Sequence, residues 1–413
     1  MQVTRHQVLR SLGAATLGVL MPGCTAREYR STPGGPKKRV AAVVTEYQKI
    51  VHADVIVGKI LEGWRQDGGP GPQLEIASMY VDQFPLKDIS RSLGAKHNVP
   101  IFDTIEGAVT VGTNGIPVDG VLSIGEHGEY PFNEKRQHLY PRRRFFSQIV
   151  ETFRKYDRVV PVFSDKHLGP SWSDAKWMYD TAREMNIPLM AGSAAPLTYR
   201  KPDFSIPMGC DIEGIVGIGY SGLDIYGIHG LELLQHFVER RRGAETGVRW
   251  VQCLEGDAMW KVLDEGRVPQ HVFDAALEAI PHAEGNVRDV MGERVALFLF
   301  EYEDGLLGSL FMLDPFVKGG GLAVELKGAA PVGTLMDERW PECPQFRNLV
   351  HAIDLFMHTG KSPYPVERTL LTSGMLDRLL TSRFEGNRKI ETPELLIRYT
   401  PVDYPYGASP PLG

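Results

Sequence analysis

Short apolar runs alternate with helical patterns along the first half of the chain, and this alternation limits the available folds more than any other feature. Apolar or β-branched runs, typical of strands buried on both faces, occupy 39–44, 74–81, 99–102, 120–124, 159–163 and 188–191. Helical patterns lie between most of them, at 53–61, 89–97, 144–156 and 173–185. Strands that alternate with helices form a parallel sheet with right-handed crossovers. We therefore predict a doubly wound, Rossmann-like α/β domain over 39–196.

The pattern changes after about residue 200. Two apolar runs, 295–302 and 306–313, flank the sequence Glu-Asp-Gly, which is a hairpin signal. The next run, 322–326, alternates between apolar and polar residues, and a glycine-rich stretch at 217–222 is typical of a turn. Helical patterns lie near 230–241, 345–358 and 366–384. These features predict an α+β domain with an open antiparallel sheet over 197–413.

The first 27 residues differ from the rest, since they contain arginines and no acidic residue. Their apolar stretch, 12–23, is shorter than the about 20 residues that span a bilayer. A basic start followed by a brief apolar run predicts an export signal over 1–27. Proline and glycine then indicate a flexible linker over 28–38. The alternative is a frayed amphipathic N-terminus.

Two short strings refine this prediction by resemblance. The string Thr4–Arg10 resembles a twin-arginine signal, with His6 at the position of the second arginine. The string Leu20–Cys24 resembles a lipoprotein processing box, in which Cys24 would be the acylated residue. Both imply an exported protein, either periplasmic or anchored to a membrane as a lipoprotein.

The charge of the chain argues against nucleic acid as a partner. The formal net charge is −6, so no overall basic field exists to hold a phosphate backbone. A small-molecule partner is the expectation that remains.

Candidate site residues follow predicted strands or begin a predicted helix. Lys166 follows the strand 159–163, and Glu126 and His127 follow the strand 120–124. Ligands of open α/β sheets bind at the carboxyl ends of strands, where a lysine or histidine can move a proton. His229 begins a predicted helix, and an imidazole can take a proton near neutral pH. An exposed lysine or a core histidine is the alternative at these positions.

A metal site is a further alternative. Nitrogen and carboxylate ligands suit divalent zinc, manganese or iron. These ligands would come from Glu126, His127, His167 and His229, and Asp165 and Glu232 could also contribute.

The order of elements and several strings together resemble the Gfo/Idh/MocA oxidoreductases over about residues 39–400. Val99–Glu106 is similar to the segment before that family's fourth strand, and Val118–Leu122 to the strand that ends over the nicotinamide. Val162–His167 stands where the family has its Glu-Lys-Pro motif, and Ser173–Ser193 is similar to the following helix and strand. Gly227–Glu232 resembles the family's G-x-H-x-x-D helix start.

The resemblance implies a sugar or polyol oxidoreductase that transfers hydride to NAD or NADP. It implies Lys166 and His229 as catalytic residues, with Glu232 supporting the histidine. The implied cofactor contacts are Thr45, Glu46, Tyr47, Asp82, Gly125, Glu126 and Asp165. The implied substrate contacts are His127, His167, Tyr220 and Asp224. We also expect a homo-oligomer formed through an exposed face of the antiparallel sheet.

The chain departs from the family at three positions. The first loop, Thr45–Ile50, contains no glycine, although glycines let the backbone approach a pyrophosphate. His167 replaces a proline, and Ile225 replaces an aspartate. These departures leave two alternatives, namely a metal-assisted sugar lyase or isomerase and a non-catalytic carbohydrate- or cofactor-binding protein.

Overall fold

A computed structural model describes residues 35–289, 295–339 and 343–404. The predicted export signal, with Cys24, and most of the predicted linker lie outside these residues. No helix in the described ranges is long and apolar enough to cross a membrane.

The first sheet has six parallel strands in the order β3-β2-β1-β4-β5-β6. Its strands are β1 (Lys38–Val44), β2 (Leu74–Val81), β3 (Ile101–Phe102), β4 (Gly120–Ile124), β5 (Val162–Asp165) and β6 (Leu189–Gly192). The helices are α1 (His52–Glu62), α2 (Ser90–His97), α3 (Ile105–Thr110), α4 (Arg142–Lys155) and α5 (Trp172–Glu184). This strand order reverses between β1 and β4, which is the point where doubly wound sheets bind ligands.

The second sheet has eight strands in the order β14-β9-β10-β11-β8-β12-β13-β7. They are β7 (Tyr199–Lys201), β8 (Ile212–Gly219), β9 (Val248–Glu255), β10 (Ala296–Tyr302), β11 (Leu307–Met312), β12 (Gly321–Leu326), β13 (Val332–Asp337) and β14 (Ile390–Glu391). The sheet is mostly antiparallel, and only β8 and β11 pair in parallel. The predicted fold class is confirmed.

The glycine-rich stretch predicted as a turn is in part the central strand β8. A Cβ atom on Gly217 would lie 3.0 Å from the Leu310 side chain and 3.3 Å from that of Leu234. Glycine is therefore present because the strand packs closely against its neighbours, and the turn begins only after Gly219.

Helices cover both faces of the second sheet. On one face lies α6 (Gly227–Val238), and on the other lie α7 (Asp257–Asp264) and α8 (Gln270–Glu278). The face that we expected to be exposed for self-association is therefore packed beneath α7 and α8. The next helix, α9 (Pro344–Thr359), packs against α1 in the core of the first sheet, although the sequence placed it in the second domain.

The last long helix, α10 (Val366–Phe384), joins the two sheets, since it packs against α5 and β6 on one side and α6 and β9 on the other. Arg368 of α10 forms a bidentate ion pair with Glu239, the residue that follows α6. Both side chains are almost fully buried, and the Tyr399 hydroxyl also donates to Glu239. A buried ion pair thus fixes α10 to the second domain.

We expect Arg368→Leu to lower the free energy of unfolding by about 3–5 kcal/mol, because the variant leaves the carboxylate of Glu239 buried without its cation. Urea unfolding measures this change. The matched control is Arg378→Leu on the same helix, whose partly exposed pair with Glu394 should contribute less than about 1 kcal/mol. Equal effects of the two variants would contradict the assignment.

Candidate functional site

A pocket of about 210 Å³ lies at the carboxyl ends of the first sheet's strands. Residues from both domains line it, among them His52, Glu126, His127, Lys166, His229 and Glu338. The remaining wall is largely apolar and includes Ile225 and Phe346. The structure therefore brings the predicted Lys166 and His229 together in one enclosed space.

A buried ion triad forms one wall of the pocket. Glu126, two residues after β4, accepts a hydrogen bond from Lys166 Nζ at 2.8 Å and forms an ion pair with Arg142, the first residue of α4. The three side chains are between 1% and 3% exposed. Burial alone would raise the pKa of Glu126, but the two cations hold it well below its usual value. The carboxylate is therefore ionised and fixes the direction of the lysine.

Two of the lining residues have strained backbones. His127 has φ of 70° and Lys166 has φ of 61°. Both values lie in the left-handed region, which is unfavourable for residues other than glycine. Backbone hydrogen bonds with Gly192 hold Lys166 in this conformation, at 3.3 Å and 3.1 Å. Strain of this kind costs about 1–3 kcal/mol and is concentrated at functional sites.

Two histidines beside the triad, His127 and His229, are neutral at neutral pH. Burial, together with nearby cationic groups, lowers the pKa of His127 to about 4 and that of His229 well below its usual value. Within the described residues, His229 Nδ1 has no hydrogen-bond partner. A neutral imidazole beside an ammonium group can accept the hydrogen of a substrate hydroxyl that the ammonium group binds.

His52 is a pocket residue that the sequence analysis did not identify. It begins α1, and its Nδ1 lies 2.6 Å from Oδ2 of Asp165, the last residue of β5. The available sequence signal was the position of His52, two residues after the glycine-free first loop. Its partner, however, is 113 residues away and only the fold brings them together.

Arg142 is a second residue of this site that the sequence analysis did not identify. The structure buries Arg142, while Arg143 and Arg144 remain partly exposed. The burial of Arg142 follows from its ion pair with Glu126, which the linear sequence does not show.

Four other candidates lie outside the pocket lining. Glu232 is fully buried and accepts hydrogen bonds from the Ser193 amide at 2.7 Å and the Thr369 hydroxyl at 2.9 Å. It therefore contributes to the domain junction in this structure.

The other three are held by contacts of their own. His167 Nε2 lies 3.4 Å from Arg142 Nη1. The Tyr220 hydroxyl donates to Glu338, and Asp224 accepts from the His138 amide.

The first loop does not fit the pyrophosphate of a dinucleotide. Tyr47 is buried in the core, and Glu46 is 7% exposed. At the start of α1, the carboxylate of Asp54 accepts the Ile50 amide at 2.9 Å. Thr45 is engaged as well, because its hydroxyl donates to the Glu126 carbonyl at 2.5 Å. The Ile50 amide is therefore already satisfied by a carboxylate, which would repel a phosphate at this helix start.

Asp82, expected to bind the ribose of adenosine, is also engaged. It accepts hydrogen bonds from the Tyr80 hydroxyl at 2.5 Å, the Tyr130 hydroxyl at 2.6 Å and Arg144 at 2.6 Å. Gly125 is packed closely too, since a Cβ there would lie 2.8 Å from the Arg142 side chain. The residues present therefore do not fit the pyrophosphate and adenosine of a dinucleotide in the arrangement that this fold uses.

The residues of the metal alternative are not arranged as ligands. In the described part of the chain, no group of three or more histidine, cysteine or acidic side chains could hold a metal ion. Glu126 is instead occupied by Lys166 and Arg142.

Solved structures share this architecture at low sequence identity. The structure of GenD2 from gentamicin A biosynthesis in complex with NAD has a TM-score of 0.55 and 13% identity, and covers 88% of this chain and 98% of its own. A probable dehydrogenase from Thermotoga maritima has a TM-score of 0.53 and 12% identity, and the match covers 86% of this chain and 99% of that one. A putative myo-inositol dehydrogenase from Sinorhizobium meliloti 1021 has a TM-score of 0.53 and 10% identity, and the match covers 86% of this chain and 99% of that one. The likeness confirms the two-domain fold.

No protein-family model and no curated protein matches the sequence.

We expect Glu126→Gln to lower the free energy of unfolding by about 3–5 kcal/mol at pH 7, since it leaves two buried cations without their anion. Because folding lowers the pKa of Glu126, its contribution is complete above the ordinary pKa of 4.5 and is lost as the pH falls through the folded-state pKa. The difference between wild type and variant should therefore shrink below pH 4.5 in urea titrations. The control is Glu106→Gln, which removes the exposed pair with Lys155. A loss at pH 7 no larger than that of this control would contradict the triad's role.

Proposed function

We propose that this protein is an enzyme that transforms a small hydroxylated molecule, of the sugar or polyol type, in the enclosed pocket. The observation that carries the proposal is the convergence of Lys166 and His229 on one pocket at the strand ends. The strained backbone at Lys166 and His127 supports it. The sugar or polyol class is supported by the names of proteins with similar folds, which include inositol dehydrogenases.

The pocket residues have complementary tasks in this proposal. Lys166, which Glu126 holds at 2.8 Å, donates a hydrogen bond to the oxygen of a substrate hydroxyl. The neutral imidazole of His229 accepts a hydrogen bond from the same hydroxyl. Together they polarise the O–H bond and prepare the substrate for loss of a proton.

Oxidation is the first candidate reaction, with NAD or NADP as the acceptor of hydride. The fold supports it, since similar structures are described as dehydrogenases and as NAD-bound or NAD-binding proteins. The resemblance seen in the sequence, which implies Lys166 and His229 as catalytic residues, supports it as well. The contacts of Asp82 and of the first loop oppose it.

Proton transfer without a dinucleotide is the second candidate, as in a sugar isomerase or lyase. It is favoured by those same contacts, because the chain's own side chains engage the residues that would hold the cofactor. This reaction needs acid and base groups around a small pocket, and the structure has them.

One experiment separates the two reactions. The purified protein is incubated with a panel of sugars, keto sugars and polyols, with and without NAD and NADP, and products are identified by mass spectrometry. Oxidation predicts products only with a dinucleotide, together with saturable binding in calorimetric titration. Proton transfer predicts isomerised or eliminated products without one. No product under either condition would contradict the proposed function.

We expect Lys166→Met to reduce turnover of the panel's substrate at least about 100-fold, since the hydroxyl loses its hydrogen-bond donor. Turnover and melting temperature are measured on the same preparation. Lys176→Met is the matched control, because Lys176 is an exposed lysine paired with Asp180 on α5. Full activity of Lys166→Met would rule out the assigned role.

Export, acylation of Cys24 and self-association stay predictions. The first two concern residues outside the described part of the chain. Self-association needs a surface other than the sheet face that α7 and α8 cover.

A further inference from the structure

The start of α1 carries a histidine that points to chemistry of its own. His52 lines the pocket, and its side chain is 11% exposed. Its ring centroid lies 5.2 Å from that of His127 and 5.0 Å from that of Phe346, the second in an edge-on contact. The imidazole is therefore held in one orientation at the pocket wall.

Asp165 determines which ring nitrogen of His52 can act. The Nδ1 atom lies 2.6 Å from Asp165 Oδ2, and Asp165 is fully buried. Because a carboxylate oxygen accepts hydrogen bonds, we assign the imidazole proton to Nδ1, which leaves Nε2 as the accepting nitrogen. This is the arrangement in which a carboxylate orients an imidazole and stabilises the imidazolium that forms after proton transfer.

The other pocket histidines lack such a partner. Among the described residues, no ion pair joins His127 or His229 to a carboxylate. Burial lowers the pKa of both, so that each holds a proton weakly. Of the three histidines that line the pocket, His52 is therefore the one that a carboxylate orients within the described residues.

We propose that His52 is a catalytic acid–base residue of this pocket and that Asp165 is its positioning residue. In the step, a substrate O–H or C–H bond breaks, an N–H bond forms at His52 Nε2, and the electron pair stays on the substrate. In an isomerisation or elimination, His52 then returns the proton to another atom of the substrate or to the leaving group, and in an oxidation it releases the proton to solvent. The inference rests on the proposed function and applies to both candidate reactions, because each requires removal of a proton.

The kinetic test uses His52→Gln and Asp165→Asn in the full chain, with the substrate found by the panel. We expect kcat to fall at least about 100-fold in His52→Gln, with little change in KM. The matched control is His271→Gln, since His271 forms an exposed pair with Glu325 at 2.9 Å. Melting temperatures show whether each variant folds. Wild-type kcat in a folded His52→Gln would overturn the inference.

A second readout does not depend on turnover. In protein labelled with ¹⁵N-histidine, we expect the His52 signals of the tautomer protonated at Nδ1, and we expect Asp165→Asn to alter that tautomer. We also expect diethyl pyrocarbonate to modify His52, as peptide mass mapping would show, with exposed His271 as the positive control. The other tautomer, or an unmodified His52, would overturn the inference.

The two readouts keep the two proposals distinct. If the panel yields no product while His52 has the expected tautomer and is modified, the proposed function fails and the His52–Asp165 pair stands as an accessible base. If a substrate is found and His52→Gln turns it over normally, the proposed function stands and the catalytic role of His52 fails.

Discussion

The pocket depends on a carboxylate buried between two cations. Glu126 contacts Lys166 and Arg142, and the three residues come from the end of one strand, the end of its neighbour and the start of a helix. Burying ionised groups is costly, and the cost is offset only when opposite charges keep close contact. The triad therefore fixes the relative positions of β4, β5 and α4 at the edge where the substrate would bind.

The same edge differs from a dinucleotide-binding edge in what its side chains do. The start of α1 presents His52 to the pocket and satisfies an amide with Asp54. Asp82 accepts hydrogen bonds from Tyr130 and Arg144, and Phe346 from α9 lines the pocket. Positions that would contact a cofactor in this fold thus contact one another around a small pocket, and one scaffold can serve different reactions.

The sequence predicted what depends on local patterns and missed what depends on distant contacts. The strands 74–81 and 120–124 were predicted to the residue, because apolar runs bounded by turns are local signals. Strand β8 was missed, since Gly217 is required by packing against Leu310 and not by a turn. Lys166 was found because it follows a strand. The partner of Arg142 is 16 residues away and that of His52 is 113 away, so their pairing followed only from the fold.

The central claim is that the enclosed pocket binds the substrate. Ligand-observed NMR with a library of sugars and polyols tests it directly, using wild type and Ala195→Phe, which introduces a bulky ring at an uncharged lining position. Our account predicts that at least one sugar or polyol binds wild type and that a correctly folded Ala195→Phe does not bind it. Equal binding by both proteins, or no binding by wild type, would contradict the account.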